Sequence, residues 1–170
     1  VFDTSGSMIC DGTKNGYSYI SERGWNVHYT AADGTKITCR GNYNRGEMPK
    51  ALTQDKWESA VNGAISFSDS LSKVENTNIS LVTFSGSASI ATEFSHTALT
   101  ARDFGHPEGN TNLQAGLSNA IDKLKEITNP NAQKYIVVIG DGQPTSGGSN
   151  GKSATDRAMD RAYEAKNDNK

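Results

Sequence analysis

A run of small oxygen-bearing residues near the start of the chain is the clearest indication of chemistry in this sequence. The hexapeptide DTSGSM, residues 3–8, follows two apolar residues that predict the end of a buried strand. Asp3, Ser5 and Ser7 place a carboxylate and two hydroxyls at alternate positions. Gly6 lets the backbone turn tightly between the serines. Such a loop could hold a hard cation or a phosphate, or its oxygens could simply cap a turn or a helix.

Two further loops carry oxygen ligands next to predicted elements. HPEGNTNL precedes an amphipathic segment and contains Thr111, and GDGQPT follows the apolar run YIVVI and contains Asp141. Because ligands of open α/β sheets bind beyond the carboxyl ends of the strands, we expect these loops to converge with DTSGSM. Two carboxylates and three hydroxyls suit Mg²⁺, Mn²⁺ or Ca²⁺ far better than zinc or iron.

Periodicity predicts the elements that must position these loops. Apolar residues recur at spacings of three and four residues in the helical segments, and β-branched residues dominate the strands. The prediction comprises helices at 53–74, 113–124 and 152–166, a β-hairpin at 79–84 and 89–94, and a strand at 135–139. The continuous apolar character of 135–139 predicts burial on both faces. Trp57 and Phe67 are expected in the core. This order indicates an α/β fold with a Rossmann-like open, mostly parallel sheet flanked by helices.

The composition suits one soluble globular domain and disfavours two functional classes. With 170 residues, of which 34% are hydrophobic, the chain is long enough to build a real core. The formal net charge is -2 and there is no basic run, so nucleic-acid binding is not expected. No apolar stretch approaches the roughly 18 to 20 residues of a membrane span, so we expect no membrane insertion in this segment.

Residues 9–52 interrupt the alternating pattern and are predicted to form a hairpin-bearing insertion. They contain turn dipeptides around two short strand-like runs, at 25–30 and 36–39. Cys10 and Cys39 both lie in this segment. In an oxidising compartment they would form a disulfide, and the alternative is two free buried thiols. The three histidines are scattered, which disfavours a zinc site.

Taken together, the three loops resemble one known family. DTSGSM at a strand end, then Gly109-Asn110-Thr111, then the apolar strand followed by Asp141-Gly142, occur in the order found in von Willebrand factor type A (VWA) domains with a metal-ion-dependent adhesion site. The resemblance implies that Ser5, Ser7 and Thr111 coordinate the ion directly. It also implies that Asp3 and Asp141 hold the ion mainly through water, or exchange between water and direct contact.

The resemblance implies a binding function without catalysis. Such a domain would be an extracellular cell-surface adhesion module whose bound cation grips an Asp or Glu of a protein ligand, for instance a host or matrix protein. Other domains of the parent protein are further expected partners. An insertion beside the metal site resembles the arms of the pilus-tip adhesins of Gram-positive bacteria. Residues 1–170 would then be a partial VWA domain, truncated at both ends, with residues 9–52 as its arm.

Two other interpretations stay open at this stage, and a third is disfavoured. A structural VWA scaffold within a larger surface protein would hold its metal without gripping a ligand. A P-loop-like nucleotide-binding enzyme would use the Gly-Lys-Ser at 151–153, although Ser146 stands where the motif requires glycine. A serine hydrolase built on Ser5 or Ser7 would need an oriented histidine, for which the sequence offers no indication.

Overall fold

The computed structural model describes residues 1–8, 10–11, 26–30, 36–40, 51–52, 55–107, 109–142 and 144–167. Within these residues the strands are β1 (Phe2–Asp3), β2 (Cys10–Asp11), β3 (Asn26–Thr30), β4 (Lys36–Arg40), β5 (Ala51–Leu52), β6 (Ile79–Phe84) and β7 (Ala88–Ser95). The α-helices are α1 (Asp55–Leu71), α2 (Leu113–Lys125) and α3 (Ala154–Asn167). Short 3-10 helices span Gly6–Met8 and Ala101–Phe104. The predicted helices and the hairpin are therefore confirmed, to within a few residues at their ends.

The main sheet has the order β1-β6-β7 and is mixed. β1 runs parallel to β6, with Phe2 opposite Thr83, whereas β6 and β7 form the predicted antiparallel hairpin. The prediction of a mostly parallel sheet therefore holds only on the β1 side. Alternation along β6 sends Leu81 to one face and Val82 and Phe84 to the other, and all three are buried.

The segment 135–139 corrects two sequence predictions, a strand at this position and its burial on both faces. It is not a regular strand, because only Ile139 makes a β-bridge, to Phe2 of β1. It runs beside β1 in the parallel direction: the Ile139 amide donates to Val1 O at 2.9 Å and the Asp3 amide donates to Ile139 O at 2.8 Å. Only Ile139 packs against the core, however, while Val137 and Val138 are 47% and 45% exposed. The prediction of burial on both faces is wrong because, among the described residues, this segment has a neighbouring strand only on its β1 side. Its apolar side chains line a groove of about 630 Å³ that continues onto α1 and α2.

A helix covers each face of the sheet. On one face Val61 and Ala64 of α1 pack with Phe2, Leu81 and Phe104. Phe2 is at the centre of this cluster because its ring meets Phe104 edge-on at 4.7 Å and Trp57 at 5.5 Å between centroids. Trp57 packs against the core as predicted. Phe67 does not: it is 48% exposed and lines the apolar groove.

The opposite face is covered by α2, whose buried stripe consists of Leu117, Ala120 and Ile121. α2 packs on β6 and β7, and α3 packs on α2. The helix approaches β6 so closely that a Cβ on Gly116 would lie 2.9 Å from the Phe84 ring. Glycine at 116 is therefore a packing requirement of this helix–sheet contact.

A pair of Gly→Ala substitutions tests that contact. Gly116→Ala should destabilise the fold by about 1–3 kcal/mol, because the new methyl group overlaps Phe84 and Val1. Gly63→Ala, in α1, meets no atom within 4 Å and should stabilise the fold by up to about 1 kcal/mol through helix propensity. Urea unfolding of both variants measures the difference. Equal effects of the two substitutions would contradict the close approach of α2 to β6.

The predicted insertion begins and ends at one place. β2 and β5 pair antiparallel, with Cys10 opposite Leu52, so the two ends of residues 9–52 lie side by side. β3 and β4 form the expected hairpin inside the insertion, and β4 lies against the 3-10 helix Gly6–Met8. The side chains of Cys10 and Cys39 lie outside the described residues, so their disulfide stays a prediction. None of the described helices is long and apolar enough to cross a membrane.

Candidate metal centre

The fold places Asp3 at the carboxyl end of β1, between its two neighbours in the sheet. Its amide donates to Ile139 O at 2.8 Å, and the next amide, of Thr4, donates to Phe84 O at 2.7 Å. The Thr4 hydroxyl also donates to Phe84 O, at 3.0 Å. Asp3 is only 1% exposed. The sheet backbone on both sides therefore holds this carboxylate in a buried position.

A chain of hydrogen bonds joins four of the five predicted site residues. The Ser5 amide donates to Asp3 Oδ1 at 2.8 Å, the Ser5 and Ser7 hydroxyls lie 3.0 Å apart, and Ser7 Oγ donates to Asp141 Oδ1 at 2.8 Å. Since the only proton of the Ser7 hydroxyl points to Asp141, Ser5 must be the donor between the two serines. The lone pairs of Ser5 Oγ then remain available to a cation.

The second carboxylate oxygen of Asp3 is the unusual atom of this cluster. Asp3 Oδ2 is buried and has no hydrogen-bond partner in the described part of the chain. Gly140 approaches it so closely that a Cβ there would lie 3.0 Å from Oδ2. Burying an unpaired carboxylate oxygen is costly, and such atoms are rare in folded proteins. An oxygen of this kind, beside two serine hydroxyls, fits a bound cation.

The electrostatics of Asp3 follow from this burial. Desolvation raises the pKa of the Asp3 carboxyl above its ordinary value, and the neighbouring Asp141 carboxylate raises it further. Hydrogen bonding by Ser5 favours the charged form and partly opposes this rise. Two carboxylates lie close together here, so a positive charge between them would relieve their repulsion.

Lys56 supplies one positive charge to the cluster and was not predicted from the sequence. It lies in the first turn of α1, and its ammonium forms an ion pair with Asp141 Oδ2. The side chain of Asp141 is 11% exposed and that of Lys56 is 40% exposed. A long insertion separates Lys56 from DTSGSM, so no local motif could have placed it at the site.

Thr111 joins the cluster through its loop. The Gly6 amide donates to Gly109 O at 3.1 Å, which ties the DTSGSM turn to the loop before α2. The Thr111 amide donates to Thr145 Oγ1 at 3.0 Å, which ties the same loop to the segment after Asp141. The three predicted loops therefore converge. The Thr111 side chain is buried, and the hydrogen bonds that hold this residue run through its backbone.

The candidate ligands that these loops bring together are all oxygen atoms. No group of three or more His, Cys, Asp and Glu side chains is present among the described residues. The cluster combines two carboxylates with hydroxyl groups, and such a set suits Mg²⁺, Mn²⁺ or Ca²⁺. The residues present therefore fit the predicted kind of ion.

The Gly-Lys-Ser at 151–153 has a structural explanation. The Ser153 hydroxyl accepts from the Asp156 amide at 3.1 Å, and the Ser153 amide donates to Asp156 Oδ2 at 3.2 Å, which is a reciprocal cap at the start of α3. Lys152 pairs with Asp160 at 2.6 Å. These contacts account for both residues without a nucleotide.

Comparison with known families identifies the class of protein. The model of the von Willebrand factor type A domain matches residues 39–143, well over half of the chain. The chain therefore belongs to the von Willebrand factor type A family. Thr111 and Asp141 lie inside the matched range, whereas the DTSGSM loop precedes it. Searches of curated proteins and of solved structures gave no significant match. Membership of this family indicates an adhesion or protein-interaction module in general terms.

Proposed function

We propose that this domain is an extracellular cell-surface adhesion module, not an enzyme, and that it binds a protein ligand through a divalent cation. Mg²⁺ is the proposed ion, with Mn²⁺ or Ca²⁺ as possible substitutes. Asp3, Ser5, Ser7, Thr111 and Asp141 are its proposed ligands, directly or through water. The ligand protein, such as a host or matrix protein, contributes the side chain of an Asp or Glu.

One observation carries this proposal: at the point where three loops converge, the buried Asp3 Oδ2 lacks a partner within the part of the chain that the structure describes. The fold brings a second carboxylate and two hydroxyls to the same place through hydrogen bonds of 2.8 to 3.0 Å. Sheet-edge loops of this kind are the usual ligand position in open α/β sheets. Membership of a family of protein-interaction domains supports the same interpretation.

The residues of the proposed site have different roles in ion binding. Ser5 and Ser7 supply neutral oxygens, so they add ligands without cancelling the charge of an ion. The backbone bonds on both sides of Asp3 fix its carboxylate, and Gly140 leaves room beside it. A divalent ion held mainly by neutral hydroxyls would keep much of its charge and could attract a carboxylate from a partner.

The finer assignment to a pilus-tip adhesin rests on the insertion. The pairing of β2 with β5 brings both ends of residues 9–52 together, and β4 lies against the turn that contains Ser7. An arm in this position would contact a ligand held at the metal centre. We propose a Cys10–Cys39 disulfide as its covalent brace, in keeping with an extracellular location.

Calorimetric titration with Mg²⁺ and Mn²⁺ tests the ion site. An array of peptides with a central Glu or Gln tests whether the bound ion recognises a ligand carboxylate. We expect one ion site per domain and retention of Glu peptides that is lost with chelator and restored by Mg²⁺. Ion binding with no difference between Glu and Gln peptides would favour the structural scaffold. Absence of ion binding would overturn the proposal.

Asp141→Asn provides a second line of evidence. The substitution removes a charge at the candidate site, so it should weaken Mg²⁺ binding by at least about tenfold. The matched control is Asp103→Asn, which alters a half-buried carboxylate that caps the 3-10 helix at 101–104 and should leave ion binding unchanged. Equal Mg²⁺ affinity in both variants would contradict a role for Asp141.

A further inference from the structure

Lys56 contacts the candidate metal centre in a way that the proposed function does not explain. Its ammonium pairs with Asp141 Oδ2, while Asp141 Oδ1 accepts from Ser7 Oγ at 2.8 Å. Both oxygens of Asp141 therefore have partners within the protein. Asp3 Oδ2, on the other carboxylate, has none among the described residues. One ammonium thus neutralises one of the two neighbouring carboxylates.

We propose that Lys56 is a built-in competitor of the divalent ion, an inference that rests on the proposed function of this site. An ion that binds at Asp141, directly or through water, competes with the ammonium for the negative charge of this carboxylate. The two cations would also repel each other strongly over a few ångströms in a partly buried site. Lys56 must therefore leave Asp141 when the ion binds, and this displacement weakens the apparent ion affinity.

The position of Lys56 in the chain gives this exchange a structural consequence. Lys56 is the second residue of α1, and β5, which closes the insertion, ends at Leu52, only a few residues earlier. Its side chain is 40% exposed, so it has room to turn towards solvent. Ion binding then releases a contact between the loop after the 135–139 segment and the start of α1. Lys56 therefore couples ion binding at the site to the junction between the insertion and α1.

The loss of this competitor can be measured with Mn²⁺ alone as the probe. Lys56→Met keeps most of the side-chain volume and removes the charge. Because the ion no longer has to displace an ammonium, we expect calorimetry to give a Mn²⁺ dissociation constant at least about fivefold lower than that of the unaltered protein. Lys56→Arg retains the positive charge and should restore an affinity close to that of the unaltered protein.

Lys73→Met is the matched control. Lys73 lies just beyond the other end of α1 and pairs with the exposed Asp69 at 2.7 Å, so its loss should leave Mn²⁺ affinity unchanged. If Lys56→Met binds Mn²⁺ no more tightly than Lys73→Met does, the proposed competition by Lys56 is disproved, whereas the proposed ion site is supported. If none of the variants binds Mn²⁺, the proposed function itself fails, and this inference fails with it.

Thermal unfolding in chelator gives a second readout that does not depend on ion affinity. Without its ammonium, Asp141 faces Asp3 with no neutralising charge, so Lys56→Met should unfold at a lower temperature than Lys73→Met. Saturating Mn²⁺ should then raise the unfolding temperature of Lys56→Met more than that of the unaltered protein. An unfolding temperature in chelator that equals that of Lys73→Met would overturn the role of Lys56 as the internal counter-ion.

Discussion

Asp3→Asn is expected to abolish divalent-ion binding and, at neutral pH, to make the ion-free protein more stable. The substitution removes the charge of a buried carboxylate whose Oδ2 lacks a partner among the described residues. Burying such a group costs about 1–3 kcal/mol in protein mutational data, and we expect a gain of up to that size in chelator. A gain in stability with a loss of binding would identify Asp3 as a functional residue. Calorimetry with Mg²⁺ and urea unfolding in chelator measure the two effects.

The pH dependence of this gain follows from the pKa of Asp3. Because burial raises that pKa in the folded state, protonated Asp3 favours folding, and this contribution is lost as the pH rises through the folded-state pKa. The difference between the variant and the unaltered protein should therefore be small in acid and reach its full size at neutral pH. Asp69→Asn, on the exposed side of α1, should show neither effect. A gain for Asp3→Asn that was equal at all pH values would contradict the electrostatic origin.

Of the proposed substitutions, Phe104→Ala should lower the free energy of unfolding most. Phe104 is 2% exposed and packs edge-on against Phe2, the residue directly before Asp3. Removing a buried phenylalanine side chain typically costs about 3–5 kcal/mol, and a chain of this size has little stability to spare. Urea unfolding should show the loss, and Mg²⁺ binding should weaken because Phe2 no longer has a firm support.

Phe67→Ala is the control for that substitution. Phe67 is 48% exposed at the apolar groove, so its removal should cost well under half as much. If the two alanine variants lost equal stability, the core would not be centred on Phe2 and Phe104.

The elements that the sequence predicted correctly depend on local patterns. The helix from Leu113 and the hairpin at residues 79–94 follow from periodicity and turn residues within a few positions of each other. The convergence of DTSGSM with the loops of Thr111 and Asp141 was also predictable, because parallel strands end at one edge of a sheet.

The features that were missed depend on neighbours distant in the sequence. Apolar character predicted burial for Val137 and Val138, but burial requires a covering element, and none lies over them in the described part of the chain. The contact of Lys56 with Asp141 joins residues 85 positions apart, with β6, β7 and α2 between them in the chain. The periodicity that placed Phe67 on a helix could not reveal which part of that helix the sheet leaves uncovered.

The paired ends of the insertion have a mechanical consequence. β2 leaves the turn that contains Ser7, and β5 leads into the start of α1, where Lys56 lies. A tension applied to the segment between these strands would be shared by both and would reach the candidate metal centre from two sides at once. One side is the serine turn and the other is the lysine that holds Asp141. A shear force on a ligand bound to the insertion would therefore act directly on the residues proposed to hold the ion.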